Sequence, residues 1–176
     1  MKPYTHYIFL LVLMLCNLKG AAQNETRKET LENECIFDQA TQTDAFLKGI
    51  KELEGYKWDA DSKTAEISLN DDWYLSLKRG GCDSFELSAS FIYDRLLDFE
   101  TDKQLIFDQV IWITNLIEGF DDEGIKSALN NNRISTEVLD EKVSIRFTDD
   151  MLSDFYYMIF QTEDDHSFIT FSFYMD

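Results

Sequence analysis

The segment between Thr101 and Gly119 carries the most regular pattern of apolar and polar positions in the chain, with the period of an α-helix. Thr101 and Gln104 have the spacing of a capping box, and Gly119 tolerates the left-handed turn that ends many helices. Gln109 lies within the apolar arc, so we expect its amide to be buried and bonded to the backbone rather than to a ligand. An arc this broad predicts packing against a sheet. Its apolar members are Leu105, Ile106, Val110, Trp112, Ile113, Leu116 and Ile117.

A shorter helix and several strands are predicted before that segment. Residues 43–54 place their apolar side chains on one side and are closed by Gly55, which predicts a short packing helix. Beyond Gly55, apolar and polar residues alternate with a period of two, as in antiparallel strands that bury one face. Clusters of Asn, Asp and Ser separate these stretches and predict tight turns. The predicted strands form a meander at 56–58, 64–69, 73–78 and 85–91.

Alternation returns in the last part of the chain. Asp121 begins a predicted short helix, residues 143–148 predict another strand, and residues 155–161 and 168–175 predict the two arms of a final hairpin. We therefore expect an α+β fold, with an antiparallel sheet of about six to seven strands and the helices packed on one face. The expected order of elements is α-β-β-β-β-α-α-β-β-β.

The first residues have the composition of a secretory signal peptide. Lys2 precedes an uninterrupted apolar run at 7–16, and small residues follow, with cleavage expected after Ala22. The run is short for a membrane span. A lipid anchor at Cys16 is disfavoured, because Leu15 stands where that processing expects a small residue. The resulting division of the chain is a signal peptide at 1–22, a flexible polar lead-in at 23–34 and a single α+β domain at 35–176.

Export would bring the remaining cysteines into an oxidising compartment, either periplasmic or extracellular. Cys35 and Cys82 are then predicted to form one disulfide, which would close a loop of about 48 residues. The glycines within 79–82 predict a tight turn or bulge that places Cys82, because a strand follows them rather than the helix of a phosphate-binding loop. Asn24 begins an N-glycosylation tripeptide, which is relevant only in a eukaryotic source.

The chain is strongly acidic, with 34 Asp and Glu against 16 Lys and Arg. Loss of Lys2 and Lys19 with the signal peptide would take the formal charge from −18 to about −20. Such a field disfavours nucleic acid and anionic lipid, and the sequence contains neither a basic patch nor a basic amphipathic helix. The same field would steer a basic protein towards the chain, although a solvated acidic surface accounts equally for the charge.

No catalytic constellation, cofactor site or metal site is predicted. His166 is the one histidine beyond the signal peptide, but it lies in a predicted acidic turn, and no G-x-S-x-G pattern surrounds a serine. A zinc site would need more cysteine and histidine ligands than the chain offers. Residues 59–70 begin like a calcium loop, but Thr64 replaces its glycine and Asn70 its closing glutamate, so we prefer a hairpin turn.

The acidic residues gather at predicted turns and helix starts. Acidic side chains cap free backbone amides at such places, so local structure accounts for them. Their functional interpretation is an acidic rim that meets a basic protein surface. The candidate partner-binding residues are Asp71, Asp72, Asp121, Asp122, Glu123, Glu163, Asp164 and Asp165.

The polar face of the predicted sheet is a second candidate surface. Short hydroxyl side chains interspersed with charges can form a flat recognition surface, although a plain solvent-exposed face has the same composition. Its predicted members are Ser76, Lys78, Glu86, Ser88, Ser90, Ser144, Arg146, Thr170, Ser172 and Tyr174.

These features favour an exported, non-enzymatic binding protein, such as an inhibitor or immunity-type partner of a basic cell-wall hydrolase. Two alternatives come from other classes. The abundant carboxylates leave a carboxylate-dependent hydrolase open. The aromatic content leaves open an envelope accessory domain that holds a small apolar ligand between helix and sheet.

Overall fold

Eight antiparallel strands form one continuous sheet in the computed structural model, which describes residues 35–176. The strands are β1 (Lys57–Asp59), β2 (Thr64–Ser68), β3 (Trp73–Gly80), β4 (Phe85–Tyr93), β5 (Ile134–Leu139), β6 (Lys142–Phe147), β7 (Tyr156–Glu163) and β8 (His166–Met175). Their order across the sheet is β1-β2-β3-β4-β8-β7-β6-β5. The last strand of the chain therefore lies in the middle of the sheet and joins the two halves. The predicted α+β class is confirmed.

Three α-helices accompany the sheet within the described residues. They are α1 (Lys103–Leu116), α2 (Asp122–Asn130) and the single turn α3 (Asp150–Ser153). The predicted helix at 43–54 is wrong in type, because this segment forms two short 3-10 turns, Asp44–Leu47 and Lys51–Leu53. Gly49, with a φ of 89°, separates the two turns and prevents a continuous helix.

The core lies on one face of the sheet, between the strands and the helices. Phe91 of β4 and Phe171 of β8 are fully buried there. The ring of Phe91 lies 6.1 Å from that of Trp112 on α1, so α1 covers the central strands. Burial alternates along β3, β6 and β7, as the period-two pattern predicted.

The buried side of α1 is rotated away from the predicted arc. Ile106, Val110 and Ile113 are fully buried, as predicted. However, Phe107 and Thr114 are buried as well, and neither was included in the arc. The helix therefore presents a different edge to the sheet, which only the sheet's position could decide.

That rotation makes two sequence predictions about α1 wrong. Leu105 is 37% exposed, and Gln109 lies half-buried at the margin of the contact rather than at its centre. The capping box is also wrong, because α1 begins at Lys103 and its N-cap residue, Asp102, makes no side-chain cap hydrogen bond. An Asp98 carboxylate oxygen accepts the Thr101 N–H at 2.9 Å, in the turn before the helix begins.

The predicted strand count was too low because β5 was missed. Apolar and polar residues do not alternate regularly along β5, and five of its six residues are exposed. The sheet consequently has eight strands instead of six or seven, and α3 adds a second unpredicted element, so the expected order of elements is also wrong in detail. Within this order, the predicted meander from β1 to β4 and the predicted final hairpin of β7 and β8 are both present.

Cys35 and Cys82 form a disulfide, as predicted. The hairpin turn preferred over a calcium loop is also observed, because the Asp59 carboxylate accepts the backbone N–H of Asp61 at 2.8 Å. No helix among residues 35–176 is long and apolar enough to cross a membrane. The predictions made for the signal peptide, Cys16, Asn24 and the polar lead-in fall outside the described residues.

Candidate functional site

Two of the three predicted acidic clusters lie at the same end of the sheet. The register places Trp73 opposite Tyr93, and Tyr93 opposite Ser167, so the β2–β3 turn, the end of β4 and the β7–β8 turn are neighbours. Lys142 pairs with Gln161, which brings the β5–β6 turn to the same end. We call this surface, formed by 71–72, 94–100, 140–141 and 163–165, the acidic end. It contains the predicted candidates Asp71, Asp72, Glu163, Asp164 and Asp165.

The third predicted cluster lies at the opposite end of the sheet and has a local structural role. The Asp121 carboxylate accepts the Gly124 N–H at 3.0 Å and so caps α2, while Asp122 and Glu123 occupy the first turn of that helix. Negative charge is favourable at this position because of the helix dipole. The Asp121 N–H donates to the hydroxyl of Tyr156, at the start of β7, which fixes the cluster far from the acidic end.

Two of the basic side chains at the acidic end are already engaged with carboxylates. Arg95 pairs with Asp72, and His166 Nε2 lies 3.0 Å from Asp94 Oδ1. His166 begins β8 rather than lying in the turn. Ser68, which lines the adjoining pocket of about 220 Å³, donates its hydroxyl to a backbone carbonyl at 3.1 Å and is not paired with His166.

A cleft opens at the acidic end between the β4–α1 connection and the β5–β6 hairpin. It has a volume of about 260 Å³. Asp98 and Glu100 line one wall, and Asp140 and Glu141 line the other. We call it the acidic cleft. None of these four residues was predicted as a candidate, because the second wall belongs to a hairpin whose first strand was not recognised.

Apolar side chains form the rest of the acidic cleft. Val143 and Phe160 are buried beneath it, whereas Val138 on β5 is 64% exposed. The ring of Phe160 lies 5.8 Å from that of Phe99, which holds the β4–α1 connection against the sheet. The cleft thus combines an acidic rim with an apolar floor, and none of the residues within 35–176 that line it is basic.

The acidic wall formed by Asp98 is held in place by backbone hydrogen bonds. Its carboxylate accepts the N–H groups of Thr101 and Glu100, at 2.9 and 3.1 Å. These bonds, above all the one from Thr101, lower the pKa of Asp98 and keep it ionised. Across residues 35–176, no three His, Cys, Asp or Glu side chains converge as metal ligands would.

The polar face of the sheet carries a separate hydrogen-bonded network. Lys78 Nζ donates to Glu86 Oε2 at 2.6 Å, and the Tyr157 hydroxyl donates to the Tyr174 hydroxyl at 3.0 Å. The two tyrosine rings stack with centroids 5.3 Å apart. Burial raises the pKa of Glu86, but hydrogen bonds from Lys78, Ser88 and Tyr174 outweigh it, so the pKa is lowered overall. This network connects β3, β4, β7 and β8 on the face away from the helices.

A shallow pocket of about 370 Å³ adjoins that network. Arg146, Tyr157 and Tyr174 line it together with the exposed ring of Phe155. The predicted polar face is therefore present as a surface, with aromatic and charged side chains around small hydroxyl groups. Ser172 lies fully buried within this face, and its Oγ has no hydrogen-bond partner among residues 35–176.

Comparison with other proteins gives no family for this chain: no family model matches it, and neither the curated proteins nor the solved structures contain a match.

Proposed function

We propose that this chain is an exported, non-enzymatic binding protein for a basic protein, of the inhibitor or immunity type, with a basic cell-wall hydrolase as the model partner. The observation that carries the proposal is the convergence of acidic residues from four separate connections at one end of the sheet. Such a one-sided negative surface accelerates encounter with a cationic partner and orients it.

The charge at the acidic end is only partly neutralised from within the chain. The Arg95 guanidinium neutralises one carboxylate, that of Asp72, and the ring of His166 contacts Asp94. The acidic residues of the β7–β8 turn remain exposed beside them. Exposed carboxylates of this kind contribute more to association rate and specificity than to fold stability, which supports a role in recognition.

The disulfide supports the exported location. Disulfides persist in oxidising compartments and are rare where thiols are kept reduced, so the Cys35–Cys82 bond is consistent with a periplasmic or extracellular protein. This location is also where a basic cell-wall hydrolase would be met.

A carboxylate-dependent hydrolase is the second candidate, and the acidic cleft is the observation that favours it. Glycoside hydrolysis of this kind needs one carboxyl group with a raised pKa to act as general acid. Asp98 in this cleft does not meet that requirement, because hydrogen bonds from Thr101 and Glu100 lower its pKa. An ionised Asp98 favours binding of a cationic group over acid catalysis.

The proposal is tested with mature protein, residues 23–176, against a panel of pure basic and acidic cell-wall hydrolases, with binding measured by surface plasmon resonance between 20 and 300 mM salt. One variant, Asp164→Asn with Asp165→Asn, removes two charges from the acidic end. The matched control, Asp122→Asn with Glu123→Gln, removes two charges from the opposite end and leaves the Asp121 cap in place.

We expect selective binding of basic hydrolases, with an affinity that falls steeply with salt and that falls at least 3-fold in the acidic-end variant but not in the control. Equal losses in both variants would show that only the overall charge matters. Absence of any basic partner at 20 mM salt would refute the proposed function.

A further inference from the structure

The two edges of the sheet differ in how well they are protected. The edge strand β1 is only three residues long and carries Lys57 and Asp59. Short, charged edges resist pairing with other chains. The opposite edge strand, β5, is six residues long and contains a single charged residue, Glu137. Among residues 35–176, it pairs with β6 alone. The unpaired side of β5 is therefore the open edge of this sheet.

The helices do not extend over β5. Thr136 and Val138 lie opposite Ile145 and Val143, which are buried on the helix side of the sheet. By register, Thr136 and Val138 face that same side, yet both are exposed, Val138 by 64%. The strand thus projects beyond the core and is accessible on both faces and along its edge.

The backbone groups at the open edge can be assigned from the alternation of an antiparallel ladder. The Thr148 N–H donates to the Arg133 carbonyl at 3.1 Å, so the backbone of Arg133 faces β6. Alternate residues face opposite ways, and Ile134, Thr136 and Val138 therefore direct their N–H and C=O groups away from β6. These groups form a template for one more strand.

We propose that β5 binds an extended basic segment of the partner by strand addition, with lysine or arginine side chains of that segment reaching the acidic cleft. The inference rests on the proposed function and names the surface and the chemistry of the partner. Alternate side chains of an added strand would lie beside Val138 on the helix side. There, an aliphatic stem can cover Val138 while its charged head meets the carboxylates of Asp140 and Glu141.

Charge favours a basic segment over a second copy of this chain. Antiparallel pairing of two β5 strands would bring the Glu137 side chains of both copies to the same interface, with the acidic hairpin turns close by. Like charges opposite each other destabilise strand pairs. A lysine-bearing segment would instead place positive charges beside these carboxylates.

The probe is a capped octapeptide of alternating lysine and threonine, with the glutamate-threonine peptide as its control. Binding is followed by fluorescence anisotropy on the mature chain. Thr136→Pro removes one outward N–H donor, at an edge position where proline is tolerated. Thr136→Val keeps the donor and is the matched control.

We expect the lysine-threonine peptide to bind and the glutamate-threonine peptide not to bind. Thr136→Pro should lower the affinity for the lysine-threonine peptide at least 10-fold, whereas Thr136→Val should lower it less than 2-fold. A peptide that is N-methylated at alternate residues tests the same hydrogen bonds with β5 on the unaltered protein. Its affinity should fall at least 10-fold when the methyl groups face β5. Asp140→Asn with Glu141→Gln should reduce affinity and its salt dependence.

Three results would overturn the inference. The lysine peptide could fail to bind, it could bind with no effect of Thr136→Pro or of N-methylation, or sedimentation could show a β5-dependent dimer that excludes it. If the chain still binds basic hydrolases in any of these cases, the proposed function stands and only the surface assigned to it is wrong.

Discussion

The side chain of Gln42 pairs with the backbone of Gly81 as a neighbouring strand would. Gln42 Oε1 accepts the Gly81 N–H at 3.0 Å, and Gln42 Nε2 donates to the Gly81 carbonyl at 2.8 Å. Gln42 is 7% exposed, so both bonds are sheltered from water. This amide satisfies the backbone immediately before Cys82, where the chain leaves β3, and fastens the N-terminal turns to the sheet.

Replacement of Gln42 by alanine should lower the free energy of unfolding by about 1–3 kcal/mol, because the half-buried Gly81 N–H would lose its side-chain acceptor. The Gly81 carbonyl would keep one donor, the side-chain amide of Gln39. Gln104→Ala is the control, since Gln104 is exposed and its amide donates to Asp108 on the surface of α1. Urea unfolding followed by circular dichroism measures both. Equal stability of the two variants would mean that water replaces the Gln42 amide at no cost.

Gly81→Ala should destabilise the protein far more than Gly49→Ala. A Cβ at Gly81 would lie 1.8 Å from the carbonyl oxygen of Ser84, whereas a Cβ at Gly49 meets nothing within 4 Å. Gly49 has a φ of 89°, so its substitution costs only the backbone strain of about 1–2 kcal/mol. We expect the loss of unfolding free energy in Gly81→Ala to be larger than that in Gly49→Ala by at least about 2 kcal/mol, as measured by thermal unfolding. Similar losses would show that the turn relaxes around the added methyl group.

Loss of the Cys35–Cys82 disulfide should reduce stability by about 4 kcal/mol, the chain-entropy value for a loop of about 48 residues. The double variant Cys35→Ser with Cys82→Ser should match the unaltered protein under reducing conditions, because only the cross-link separates them. Urea unfolding with and without dithiothreitol gives the comparison. A change of less than about 1 kcal/mol would show that the unfolded chain is already compact around this loop.

Stability should fall with acid partly through Glu86. Its hydrogen bonds with Lys78, Ser88 and Tyr174 outweigh the opposing effect of burial and lower its pKa in the folded state. A lowered pKa gives stability that is present above the unfolded value of about 4.3 and is lost as the pH falls through the folded value. Glu86→Gln should therefore be less stable than the unaltered protein at pH 7.

The difference in free energy of unfolding between Glu86→Gln and the unaltered protein should decrease below about pH 4.3. Urea unfolding from pH 3 to pH 7 measures it, with the exposed Glu118→Gln as the charge control. A stability difference that stays constant from pH 3 to pH 7 would show that Glu86 stabilises the fold through packing rather than through its ionised carboxylate.

The strands and turns that follow from local pattern were predicted well. Asn70 shows why: its side-chain oxygen accepts the N–H groups of Asp72 and Trp73, at 2.9 and 3.0 Å, within four residues of chain. Such contacts depend on residue type and spacing alone. The helix at 43–54 was predicted from the same kind of pattern and was wrong, because Gly49 interrupts it with backbone angles that periodicity does not describe.

The acidic cleft could not be predicted in the same way. Asp98 and Glu141 are far apart in the sequence but line opposite walls of the same cleft. They do so because β8 lies between β4 and β7, which places the hairpins of β5–β8 beside the first four strands. The strand β5 also escaped prediction, since its exposed residues lack the alternation that burial on one face imposes.

The sequence by itself determined the α+β class, the alternating strands, the pairing of Cys35 with Cys82 and the strong negative charge. Periodicity, composition and the presence of two cysteines beyond the predicted signal peptide are properties of the chain. The tertiary structure decided which side of α1 is buried, which acidic turns share one end of the sheet and which strand is left with an open edge. These depend on strand order and register, which arise from contacts between residues distant in the chain.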